Sequence, residues 1–128
     1  MELGLEKRLA LPFDEAVEKT RAAFKAEGFG VLTEIDVKKT LHEKIGAEFR
    51  RYVILGTCNP PLAHRALSDS VQVGLLLPCN VIVYEEGGES VVSAMNPALM
   101  AEFFRSDTLG SVASEAKEKI EKALDSLK

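Results

Sequence analysis

The sequence predicts an α+β fold, a mostly antiparallel β-sheet with helices packed on one face. Three observations lead there. Segments that alternate apolar and polar residues interleave with segments of helical apolar spacing, the two periods that separate strands from helices. The last two strand-like segments meet at Gly87-Gly88, a hairpin signal used by antiparallel neighbours. No glycine-rich strand-to-helix turn of the dinucleotide-binding kind is present, which removes the main sign of a doubly wound parallel sheet.

Glu2–Ala10 opens the chain as a strand, with Leu3, Leu5 and Leu9 alternating against Glu2, Glu6 and Arg8. Pro12 then precedes a helix whose stripe is Phe13, Val17, Thr20 and Phe24. Asp14 and Glu15 complement its dipole and Gly28 suits its C-terminus. FGVLTEIDV follows as a strand, and Asp36 caps a short helix that turns Val37, Leu41 and Ile45 inward before Gly46. FRRYVILGTC is the next strand, ending at Cys58. Asn59 is an N-cap candidate and Pro60 takes the first helical position, where a missing N–H costs nothing. VQVGLLLPCNVIVYEE is read as a strand bent or bulged at Pro78, or as two strands meeting there, because proline cannot donate to a central ladder. After the hairpin comes ESVVSAM. Asn96-Pro97 opens a short helix, and Asp107 or Thr108 opens a long one with Leu109, Val112, Ala116, Ile120, Ala123 and Leu127 on one face.

Composition narrows the functional classes. A chain of 128 residues without linker, repeat or low-complexity tract is read as a single domain, 1–128. A net charge of −4 argues against nucleic acid, which requires a basic face. No run of 18 apolar residues offers a membrane span, and charges occupy the place of a signal peptide's apolar region, so no membrane partner is expected. Two cysteines do not make a disulfide framework and read as thiols of a cytoplasmic protein. One Gln and three Asn beside many Glu, Lys and Arg suit a thermophile.

The candidate site is built on a repeated pair. Cys58-Asn59 and Cys79-Asn80 are the only cysteines of the chain, each followed by asparagine. A thiol just before a helix N-terminus sees partial positive charge that favours thiolate, yet a small buried cysteine ending a core strand needs no role. Asn80 beside a strand break either binds a ligand or satisfies free backbone groups. His64 lies six residues past Cys58, more than one helical turn, so a Cys-His pair needs tertiary placement. Neither CxxC nor a four-ligand Cys/His pattern exists, and no P-loop, GxSxG or HExxH motif is present. The sequence names no cofactor or metal, and it favours a non-catalytic role.

Three stretches, GFGVLTEIDV (28–37), YVILGTCNPPLAHRAL (52–67) and VGLLLPCNVIVYEEGG (73–88), together resemble domain of unknown function 302, a family of small bacterial and archaeal domains. The resemblance spans nearly the whole chain and rests on Cys58, Asn59, Pro60, Pro78, Cys79 and Asn80. It implies a curved antiparallel sheet gripping a long C-terminal helix, in the TATA-binding-protein-like group. It implies no activity. The expected function is therefore a small-ligand or anion-binding regulatory module using Cys58, Asn59, His64, Cys79 and Asn80. One rival is a thiol redox or soft-metal protein using Cys58 and Cys79, with copper(I) or zinc. The other is an assembly homodimer without ligand.

Overall fold

The structure, a computed structural model, describes residues 2–128. In chain order it contains β1 (Gly4–Leu9), α1 (Phe13–Ala26), β2 (Gly30–Asp36), α2 (Val37–Ile45), β3 (Tyr52–Cys58) and α3 (Pro60–Asp69). A 3-10 turn follows (Val71–Leu76), then β4 (Cys79–Glu86), β5 (Glu89–Met95), α4 (Ala98–Phe104) and α5 (Asp107–Asp125). The strands form one antiparallel sheet in the order β1-β5-β4-β3-β2. This is the α+β architecture expected from the sequence, with each helix and strand in its anticipated order.

Register assigns the two faces. Val53 opposes Val83, Leu55 opposes Val81, and Val92 and Ala94 of β5 align with Val83 and Val81. All six are buried, so this face carries the core. α1 lies on β2, β4 and β5, and α5 packs across α1, α3 and α4. The predicted stripe of α5 is the buried one, from Leu109 to Ala123, and Leu127 just beyond the helix is buried too. Ser106 is its cap, accepting the Leu109 N–H at 3.3 Å. The other sheet face carries Ile54 opposite Ile82 and a stacked Tyr52–Tyr84 pair, 5.4 Å between ring centroids. Gly87 and Gly88 close the β4–β5 hairpin with φ of +59° and +80°, the double positive twist that matches antiparallel strands.

Two expectations need correction. The stripe Val37, Leu41 and Ile45 of α2 is not turned inward: no residue of α2 is buried, and Ile45 is 73% exposed. The helix follows β2, an edge strand whose residues from Leu32 to Asp36 are all exposed, so its apolar side meets no second layer. Secondly, VQVGLL is a 3-10 turn and not a strand. Its apolar run mimics a buried strand, but only Val73 is fully covered, with Leu76 three residues on partly so. That is the spacing of a tight turn. The ladder begins only at Cys79, after a cis Leu77–Pro78 peptide.

One glycine sets how β4 enters the sheet. A Cβ on Gly56 would strike the Thr33 hydroxyl and come within 2.9 Å of Pro78 Cγ. The bare Cα of β3 thus lets the Pro78 ring lie against the strand, which puts Cys79 opposite Thr57. Gly56→Ala is expected to destabilise the protein by about 1–3 kcal/mol, since the proline ring cannot yield as a flexible side chain would. A urea midpoint shifted downward with unchanged slope would register it; an unchanged midpoint would show that the strand end has room.

Candidate functional site

β3 ends at Cys58 because Asn59-Pro60-Pro61 turns the chain into α3. Asn59 Oδ1 accepts the Leu62 N–H at 3.3 Å, and its Nδ2 donates to the Glu27 carbonyl oxygen at 3.5 Å. The side chain, 9% exposed, therefore ties the start of α3 to the end of α1. Gly28 makes room for it: φ is +87°, and a Cβ there would sit 2.9 Å from Asn59 Nδ2. Within β3, the buried Thr57 hydroxyl donates to the Cys79 carbonyl oxygen of the neighbouring strand β4 at 2.7 Å. That bond fastens the first residue of β4 beside the last turn of β3.

These anchors bring Cys58, Asn59 and Cys79 to one narrow cavity of about 30 Å³, lined also by Phe29, Leu62 and Val112. Its wall is almost wholly apolar. Asn80 and His64 do not join it. Asn80 opposes Gly56 on the outer sheet face and is exposed, as strand alternation requires once Cys79 points inward. His64 is exposed on α3, whose inward residues are Leu62 and Ala66. The Cys-His pair is therefore absent. Among the described residues, no three His, Cys, Asp or Glu side chains converge as a metal site.

The anion reading also meets an obstacle at α3. A helix N-terminus attracts anions through free N–H groups. Here Pro60 and Pro61 have none, the Leu62 N–H is taken by Asn59, and the Ala63 N–H bonds the Asn59 carbonyl at 2.9 Å. A roomier groove of about 360 Å³ lies between α1 and the β2–β3 edge. Its charges answer one another: Arg21 pairs with Glu34, and Arg51 with Asp14 at 2.5 Å. The Arg51 guanidinium also stacks 4.5 Å from the Phe13 ring centre. Two of its arginines are thus already paired with carboxylates at an exposed surface, while Lys38 donates to the Phe49 carbonyl oxygen at 3.0 Å.

The two residues that motif reading missed are methionines. Met95 ends β5 and Met100 lies on α4, and both line the cavity with the cysteines. Apart from Met1, every sulfur-bearing residue of the chain lines this space. Counting sulfurs, with methionines flanking the Asn96-Pro97 turn, is the signal that could have found them.

Burial pushes the Cys79 thiol from the usual 9.0 up to about 11, and the adjacent Cys58 adds to the rise. A thiol held neutral in hydrocarbon is a poor nucleophile. The site therefore resembles a guarded pocket more than a reactive centre.

The profile of the family described as "Domain of unknown function DUF302" matches residues 5–127. The fold is also similar to a crystal structure of an uncharacterized conserved protein DUF302 from Bacillus stearothermophilus. The two are 29% identical over 98% of each chain, with a TM-score of 0.90. No curated protein matches the chain. No helix among the described residues is long and apolar enough to cross a membrane.

The raised Cys79 pKa carries a signed expectation. The folded state prefers the neutral thiol, so its contribution is complete below pH 9 and is lost as pH rises from 9.0 toward 11. The loss is on the order of 2–3 kcal/mol. The difference in denaturant stability between the native sequence and Cys79→Ala, followed across that range, isolates it from other titrations. A difference that does not change with pH would contradict the burial.

Proposed function

Because the chain belongs to the DUF302 family, whose description assigns no reaction, we propose from its geometry that it is a small-ligand-binding module. Its guest occupies the cavity between the ends of β3, β4 and β5 and helices α3, α4 and α5. The observation that carries this reading is the convergence of Cys58, Asn59 and Cys79 on one cavity with an apolar wall.

The volume limits the guest. About 30 Å³ holds one or two atoms the size of water. A metabolite does not fit without opening the layers, whereas a single ion or a small apolar particle does. The wall limits its character. Asn59 spends both ends of its amide within the protein, so an anion or polar guest would lose its hydration without compensation. A soft or apolar guest loses little. Its binding would tie sheet to helices and stabilise the folded state by mass action, a route to regulation that requires no catalysis.

Xenon is a direct probe, because it enters dry apolar cavities without hydrogen bonding. Under xenon pressure, saturable amide shifts are expected at Cys58, Leu62, Cys79 and Met100, with residues of the Arg21–Glu34 groove unchanged. Absence of any response at those four positions would mean that the space admits no guest, and the ligand-binding reading would fall.

A further inference from the structure

The helices cover only one face of the sheet. α1, α3, α4 and α5 all send buried apolar side chains into the core on the Val53–Val83 side, and α2 buries none. Among the described residues, the opposite face therefore has no helical layer. Register nonetheless lines it with apolar and aromatic groups. Ile35, Ile54 and Ile82 form one row across β2, β3 and β4, and the Tyr52–Tyr84 stack lies in the next. Phe49 continues the aromatic row, its ring centre 6.0 Å from that of Tyr52. Ile35 is 48% exposed and Phe49 42%. The runs Tyr52–Leu55 and Val81–Tyr84 contain no polar interruption, the pattern of strands covered on both faces, whereas a strand with one wet face alternates.

We propose that this open face is the interface of a homodimer in which two copies stack their sheets. Shape, charge and area name a second copy as the occupant. On one side of the isoleucine row the face rises with Tyr52 and Tyr84, and on the other it falls to Thr33, Gly56 and Asn80. A two-fold axis along the isoleucine row lays the aromatic ridge of each chain in the trough of the other, the self-complementarity that an isologous contact demands. The rim carries both signs of charge. Arg8 pairs with Glu86 and Glu89, and Arg50 pairs with Glu86 and lies over the Tyr84 ring. Such a rim offers no field to a strongly acidic or basic partner, and it lets two chains of net charge −4 meet where their charges are already matched. Only Glu6 faces its own copy, at the solvent edge on β1, with Arg8 beside it in each chain. Five strands about 4.8 Å apart, with about six residues each at about 3.3 Å, present roughly 500 Å² in flat projection. Protruding side chains raise the accessible area above the projection, toward the roughly 800 Å² per partner of a standard interface.

Sedimentation of the native chain across a wide range of concentration tests this, and a mass of two chains is expected. Ile82→Lys places a charge at the centre of the contact and Ile35→Lys places one on an exposed edge strand that tolerates it; each is expected to weaken the dimer at least about thirtyfold. Val71→Lys, at a position 79% exposed on the turn packed against α3, is expected to leave it intact. Thermal melts verify folding, and Ile35→Lys decides alone if Ile82→Lys does not fold. In dimers mixed from labelled and unlabelled chains, nuclear Overhauser contacts are expected between the Tyr52 ring of one copy and the Gly56 α-protons of the other. A monomeric native chain, or a dimer that survives the lysine on the open face, would overturn the proposal. A dimer broken by Val71→Lys alone, or one without the contact between Tyr52 and Gly56, would overturn the stacking of these faces.

Discussion

The pairing of Thr57 with Cys79 is the constraint on which the site depends. It fixes the register between the central strand β4 and its neighbour β3 at the end where both acquire cysteine. A slip of one residue would exchange the faces of a whole strand, sending Cys79 outward and Asn80 inward. Three features hold the register there: the Thr57 hydroxyl on the Cys79 carbonyl, the Pro78 ring against Gly56, and the valine and leucine pairs buried beneath the helices. The buried pairs stabilise it most, since covering Val53, Leu55, Val81 and Val83 contributes about 1.5–3 kcal/mol per side chain.

Much of this was legible in the sequence because the determinants are local. Alternation, helical spacing, the Asn59 and Asp36 caps and the Gly87-Gly88 turn all act within a few residues, and each produced the element it foretold. The elements that misled depend on what lies across from them. Val37, Leu41 and Ile45 form an amphipathic stripe, but the stripe has no partner because β2 is an edge strand. VQVGLL has strand composition without a strand neighbour. Neither fact is encoded within the segment itself.

The site divides along the same line. That Cys58 and Cys79 share a cavity follows from strand order, which the hairpin and short connections suggested. The doubled Cys-Asn pattern invited the belief that both asparagines serve one purpose, and they do not. Asn59 holds a helix start, while Asn80 lies on the outer face because adjacent strand residues point to opposite sides. The prolines after Asn59 already spoke against an anion, since Pro60 and Pro61 remove two of the N–H groups that such a guest would seek. The methionines were hidden for another reason: thioethers carry no motif, and only the return of β5 beside β4 brings Met95 and Met100 to the lining of the same cavity.

Residues of several elements line one cavity beneath the sheet, and proximity across it is directly measurable. Protein labelled with 13C at the methionine ε-methyls, and otherwise protonated, reports it through nuclear Overhauser contacts in solution. Contacts from the Met100 methyl to the β-protons of Cys79 are predicted, since both pack with the core beneath the sheet. A Met100 methyl that shows no contact to Cys79 would contradict the shared cavity.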